Sequence, residues 1–204
     1  MAESRFSGLG FFMRLRVRHK TMWVKIGECR LELVVGDITQ QRADAIVNAA
    51  NQHLAGGGGV DGAIHRRGGP EIMADTKRRH PHGCPTGQAV VSTAGNLAAK
   101  YVIHAVGPRW AGGGRGEEEL LRSAYRNSLQ SAVEHQCRSI ALPALSTGAY
   151  GYPLAAASQV ALSVAIEVLR GQPGTLASLR FVLFDDDVYQ VFATTLTQML
   201  PARS

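Results

Sequence analysis

A single α/β sandwich with a mixed, mostly parallel sheet is the fold class this sequence predicts, and three observations carry that expectation. Short apolar segments of strand length alternate with longer segments of helical periodicity. The 204 residues suit one domain with a sizeable core, and no internal repeat divides them. Each stretch suited to holding a ligand also follows a strand-like segment, as in open α/β sheets, where ligands sit beyond the carboxyl ends of the strands.

The elements run in order from a basic head. Residues 1–22 read as a basic N-terminal extension and residues 23–204 as the domain itself. Seven Lys and Arg face only Glu3 and Glu28 in residues 1–30, so five of the six net positive charges lie there. The alternation Met13-Arg14-Leu15-Arg16-Val17-Arg18 fits an edge strand protected by outward arginines, a reading favoured over a nucleic-acid-binding arm. The head lacks a long apolar core and a small-residue cleavage site, so no secretion signal is expected.

Trp23 to Glu28 and Arg30 to Val35 read as a hairpin turning near Gly27. Ala45 to Val47 is a buried strand, Gly62 to Arg67 a short helix, and Ala89 to Ser92 a further strand. Tyr101 to Val106 is continuous in apolar character but for His104, as expected of a strand covered on both faces. Glu117 to His135 is the clearest helix. Three glutamates favour its N-terminus, and Leu121, Ala124, Tyr125, Leu129, Ala132 and Val133 make its apolar stripe. Ser139 to Pro143 is a strand, Leu154 to Arg170 a helix stopped by Gly171, Leu179 to Phe184 the last strand and Asp186 to Leu200 the closing helix.

Cys29, Cys84 and Cys137 lie far apart without a CxxC spacing, which fits a reducing cytoplasmic setting and supplies no metal site. His80 and His82 flank Cys84, but no fourth ligand is near in sequence, and a polar loop is expected there. No run reaches the 18 or so apolar residues of a membrane span.

The chemistry concentrates between Val47 and His65. An apolar strand ends in Asn48 and Asn51, and four glycines, Gly56 to Gly59, lead through Val60 to Asp61 at the start of a helix. Backbone free of side chains can approach an anion closely, and the helix N-terminus beyond it favours phosphate. No Lys-Ser or Lys-Thr follows the glycines, and no GxGxxG unit with an acidic ribose ligand is present, so neither common nucleotide loop fits.

Asn51 through Asp61 resemble the first signature loop of macrodomains of the MacroD type: an Asn, six residues, then Gly-Gly-Val-Asp. Val35-Gly36-Asp37-Ile38-Thr39 resembles the family's adenine-binding turn, and Ser146-Thr147-Gly148-Ala149-Tyr150-Gly151-Tyr152-Pro153 its second signature loop. The resemblance covers about residues 32 to 200 and implies a three-layer α/β/α sandwich that takes ADP-ribose.

By that resemblance, Asp37 accepts a hydrogen bond from the adenine amine and the Ile38 backbone reads the ring. Phe184, at a strand end, is placed to stack on it. Gly58, Gly59 and Val60, with Ser146, Thr147 and Gly148, supply backbone donors to the phosphates. Asn51 holds the distal ribose, and Ala149 and Tyr150 wall it; Ala149 departs from the Ile or Val commoner in the family. Asp61 orients or deprotonates a water beside that ribose. Plainer roles stand beside these: Asp37 as a turn cap, Phe184 as core, Asp61 as a helix N-cap worth about 1 kcal/mol, and Asn48 bonding the backbone of its own loop.

The implied activity is hydrolysis of ester-linked mono-ADP-ribose on Asp or Glu side chains and of O-acetyl-ADP-ribose, with catalytic Asn51 and Asp61 and neither metal nor cofactor. The implied partners are ADP-ribose derivatives and mono-ADP-ribosylated proteins. A non-catalytic reader of ADP-ribose is the first alternative, and a nucleic-acid module using the basic head is the second.

Overall fold

The structure, a computed structural model, describes residues 21–200 and the backbone of residues 13–16. Its strands are β1 (Met13–Arg16), β2 (Thr21–Ile26), β3 (Cys29–Val35), β4 (Ala45–Ala49), β5 (Ala89–Thr93), β6 (Tyr101–Ala105), β7 (Ser139–Leu142) and β8 (Ser178–Leu183). Its helices are α1 (Gly59–Gly68), α2 (Pro70–Arg79), α3 (Glu117–Glu134), α4 (Leu154–Gly171) and α5 (Asp186–Met199). One mixed sheet runs β1-β2-β3-β8-β7-β4-β6-β5. The five strands from β3 to β6 are mutually parallel, while β1, β2 and β5 are antiparallel to their neighbours.

The period of two along each central strand creates the three layers. In β4, Ala45 and Val47 enter one core while Ile46 enters the other; in β6, Ile103 and Ala105 part from Val102 in the same way. The larger core takes Leu121, Tyr125 and Leu129 from α3, Leu162 and Leu169 from α4, and Phe192 and Leu196 from α5. The smaller takes Ile64 from α1 and Ile72 from α2. Burial on both faces leaves little room for polar alternation, so β4, β6 and β8 read as largely apolar, with Asn48, His104 and Arg180 as polar exceptions within them.

Several boundaries differ from the sequence reading. The hairpin turns at Gly27, in a left-handed conformation (φ 58°), but β2 starts at Thr21 and ends at Ile26. Helix α1 begins at Gly59, three residues before Gly62, so the last two glycine-loop positions, Gly59 and Val60, are already its first turn. Helix α2 was not expected at all; Gly69 (φ 85°) breaks the chain from α1, and Pro70 restarts it where a missing N–H costs nothing. Gly171 is the last residue of α4, not its stop; the C-cap is Gln172, and the left-handed turn comes at Gly174 (φ 55°). Phe184 lies just past β8.

At 18 residues, α4 is long and apolar enough by length and composition to cross a bilayer, contrary to the sequence expectation. Its Val160, Leu162, Val164 and Leu169 are buried in the larger core instead. The strand expected in residues 13–18 is present as β1, an edge strand on β2; the outward arginines expected there lie outside the described side chains.

Candidate functional site

The parallel strands deliver their following loops to one end of the sheet. Where β3 ends, the Gly36 N–H donates to the Leu183 carbonyl (2.9 Å), which brings Asp37 and Phe184 to neighbouring strand ends. Asp37 caps a short 3-10 turn: its Oδ1 accepts from Thr39 N (2.8 Å) and Thr39 Oγ1 (2.7 Å). Desolvation opposes ionisation of this carboxyl, but the hydrogen bonds from Thr39 and Gln40 outweigh it and hold the group below its ordinary value. The capping role is therefore realised, and it leaves an ionised acceptor at the surface. Ile38 puts its side chain into the smaller core. Phe184 is 82% exposed, so the alternative of a core residue fails. An aromatic ring left in water at a strand end is a platform for a planar ligand.

The first loop follows β4. The Asn51 amide organises it, donating from Nδ2 to the Gly56 carbonyl (2.8 Å) and accepting at Oδ1 from the backbone of His53 (3.1 Å). Gly57 sits close against both groups, since a Cβ there would stand 3.2 Å from Asp61 Oδ2, a tight contact, and 3.9 Å from Asn51 Nδ2. Those two groups thus converge on one glycine. The first intrahelical bond of α1 runs from Gly62 N–H to the Gly58 carbonyl (3.2 Å), so the N–H groups of Gly59, Val60 and Asp61 precede it at the positive end of the helix.

Asp61 is not the N-cap expected of it. Gly58 holds that position, and Asp61 is the third residue of α1, 5% exposed. Its Oδ1 accepts from Asn48 Nδ2 (2.6 Å) and lies 3.4 Å from His65 Nε2, while its buried Oδ2 has no hydrogen-bond partner among the described residues. Asn48 likewise departs from expectation: it bonds the side chains of Asp61 and His104 (3.1 Å) instead of its own loop's backbone. Burial drives the His104 imidazole down to about 3, with His65 adding to the effect and Asp61 opposing it, so His104 is neutral at working pH.

The second loop follows β7, next to β4 in the sheet. Buried Tyr125 of α3 pins its start: the hydroxyl donates to the Pro143 carbonyl (3.1 Å) and accepts from Leu145 N (2.8 Å). Desolvation raises its phenol. Tyr125→Phe would strand the buried Leu145 N–H, and a loss of about 1–3 kcal/mol is expected in denaturant unfolding. Ser146 is left-handed (φ 67°), and its buried Oγ has no hydrogen-bond partner among the described residues. Thr147 Oγ1 donates to the Ala144 carbonyl (3.0 Å), Gly148 has open space around it, and Ala149 is exposed.

Sequence reasoning missed the loop that braces this one. Gly107 follows β6, and a Cβ there would overlap Ser146 Oγ. The Trp110 N–H donates to the Tyr150 carbonyl (2.8 Å), the Trp110 ring packs on Tyr152 (4.7 Å between centroids), and the Arg109 guanidinium lies 4.5 Å from the Tyr150 ring. Glu117, read only as a favourable residue at a helix start, is buried and accepts from the backbone of Ala111 and Gly113 (3.0 and 3.1 Å) and of Arg115 (2.6 Å). The signal for this was a glycine-rich stretch, Gly112 to Gly116, directly before the helix.

A three-layer sandwich with an anion-suited glycine loop at a helix N-terminus, an exposed aromatic platform and an acidic turn defines a domain built to hold a nucleotide-like ligand. The chain belongs to the macro domain family, whose model matches residues 47–161. It is 51% identical to a macro domain-containing protein of Caldanaerobacter subterraneus subsp. tengcongensis, over 83% of this chain and 97% of that one. It is 49% identical to the O-acetyl-ADP-ribose deacetylase of Citrobacter rodentium, over 83% and 96% of the two chains, which supports the MacroD-type branch. Among solved structures, the Oceanobacillus iheyensis macrodomain with ADP superposes with a TM-score of 0.83 at 37% identity, over 88% of this chain and 96% of the other. The Trypanosoma brucei macrodomain in complex with ADP-ribose gives 0.76 at 38% identity, over 81% and 68%.

Proposed function

We propose that these loops bind ADP-ribose and hydrolyse acyl esters on its distal ribose, namely O-acetyl-ADP-ribose and mono-ADP-ribose linked to Asp or Glu side chains. The observation that carries the proposal is the convergence of Asn51 Nδ2 and Asp61 Oδ2 on Gly57, within the glycine loop that opens into α1. Phosphates at that helix N-terminus put the distal ribose within reach of both groups. Asn51 then positions the ribose hydroxyls, and Asp61 Oδ2 takes a proton from water. The water oxygen adds to the acyl carbon, the bond from that carbon to the ribose oxygen breaks, and the ribose oxygen leaves with a proton, giving a carboxylate and free ADP-ribose. Oδ2 lies beneath Gly57, so the glycine loop yields to the ligand for this contact to form.

Asp37, with the Ile38 backbone, takes the adenine edge, and Phe184 takes its face. Gly58, Gly59, Val60 and the loop Ser146-Thr147-Gly148 supply phosphate donors; Ala149 and Tyr150 wall the ribose. The O-acetyl-ADP-ribose deacetylase relative and the ADP and ADP-ribose complexes of the structural neighbours support ADP-ribose as the ligand class. Phe184→Ala is expected to weaken binding of both ADP-ribose and AMP by about 1–3 kcal/mol in calorimetry. Its thermal midpoint should hardly move, because an exposed ring contributes little to the core.

One observation favours the alternative of a reader without turnover: Asp61 is buried and bonded to Asn48, as a purely structural carboxylate would be. A time course separates the two readings. Release of free ADP-ribose from a glutamate-linked substrate supports the hydrolase, and stable binding without release supports the reader.

A further inference from the structure

We propose that Ser92, His104 and Asn48 form a directional hydrogen-bonded relay that locks Asp61, with one carboxylate oxygen fixed and the other turned to the glycine loop. These three are thereby positioning residues for the hydrolysis, an inference that rests on the role of Asp61 proposed above.

The direction of every bond follows from the one before it. Ser92 Oγ donates its hydrogen to the Thr93 carbonyl (2.9 Å), so toward His104 Nε2 (2.8 Å) the hydroxyl is an acceptor. Nε2 therefore carries the ring hydrogen. The ring is 1% exposed and neutral, which leaves Nδ1 as a lone pair that accepts from Asn48 Nδ2. The second Asn48 N–H goes to Asp61 Oδ1. Turning the Asn48 amide over would set its Oδ1 against both a carboxylate and an imidazole lone pair, so a single orientation survives. Asp61 is consequently held by Oδ1, and Oδ2 is the oxygen left at Gly57.

The sheet builds the relay without adjustable parts. Asn48 on β4 and His104 on β6 are direct cross-strand partners, and Ser92 on β5 lies diagonally across from His104 in the next pair. The titratable and charged groups around the imidazole are Asp61 and His65 on α1, Asp75 on α2, and His80 after it. His65 stacks on His104 with centroids 6.0 Å apart. A proton on His104 would destroy its acceptor and reverse the relay, so burial that keeps the ring neutral is what the device needs.

Nitrogen-15 NMR of the intact protein labelled at histidine tests the relay without any substrate. The expected spectrum has His104 as the Nε2–H tautomer with no titration between about pH 5 and 8. An Nδ1–H tautomer, or a midpoint inside that range, overturns the proposal. Kinetics supply the second arm. His104→Leu removes the acceptor and should lower kcat on O-acetyl-ADP-ribose about a hundredfold, the scale of a group misplaced by about 1 Å, with the ADP-ribose Kd unchanged. His104→Asn, which returns an oxygen acceptor close to the Nδ1 position, should recover most of kcat. A folded Leu variant with wild-type kcat, or Leu and Asn variants equally impaired in binding and turnover, overturns it. If the Leu variant does not fold, Ser92→Ala takes its place: a fall in kcat with the Kd unchanged supports the relay, and wild-type kcat overturns it. Wild-type protein that binds ADP-ribose without turnover defeats the proposed hydrolase, while the tautomer result stands apart from that failure.

Discussion

Asp61→Asn is expected to lower turnover of O-acetyl-ADP-ribose by about 10²–10⁴-fold, the usual worth of general-base assistance, with little change in ADP-ribose affinity. The asymmetry follows from the two oxygens. An Asn at position 61 still offers an oxygen to Asn48 Nδ2, so the structural bond survives, but it has no carboxylate to take a proton at Gly57. Asp61→Ala should be as inactive and also less stable, because it strands a buried Asn48 N–H. Steady-state kinetics beside calorimetric titration separates the effects: parallel loss of binding and turnover would make Asp61 a scaffold residue.

Gly62→Ala is expected to destabilise the protein by about 1–3 kcal/mol and to weaken ADP-ribose binding more than tenfold, on the scale of overpacking a filled site. The sign is opposite to that of an ordinary helical position, where Gly to Ala gains up to about 1 kcal/mol. Here the new Cβ would stand 2.5 Å from the Gly57 carbonyl and 2.9 Å from Arg66 Nη1. The arginine tip can move away. The carbonyl cannot, except by shifting the glycine loop on which Asn51 and Asp61 converge. Thermal melts with and without ADP-ribose read both effects, and a stabilised variant that still binds would contradict the packing described.

The loops were legible in the sequence because left-handed turns and close backbone approaches are written as glycine: Gly56 and Gly151 have positive φ, and a Cβ on Gly62 or Gly107 would crowd its neighbours. Phe184 was equally readable as the residue ending an apolar strand, although only the structure shows it 82% exposed and therefore outside the core. Helix α2 was not legible. Gly68 and Gly69 before it resemble loop, and its run Lys77-Arg78-Arg79 hides a stripe that buries little beyond Ile72, Asp75 and Thr76. Pro70 at its first position was the available signal. The relay was hidden for a different reason. His104 sits in a strand that reads as apolar, and only the register pairing Asn48 with His104 brings their side chains together. Register is a tertiary quantity, and no local pattern in either strand encodes it. The same limit explains why Asp61 looked like a helix cap: an Asp near a helix start has that role by default, and its real partner lies 13 residues earlier in β4.

The central proposal is that this site turns over an acyl ester of ADP-ribose, and a single-turnover time course with wild-type protein and O-acetyl-ADP-ribose tests it most directly. Free ADP-ribose and acetate should appear in equal amounts, at a rate far above that of the same substrate in buffer. Full occupancy of the site with the ester still intact would contradict the account and leave the domain a reader of ADP-ribose.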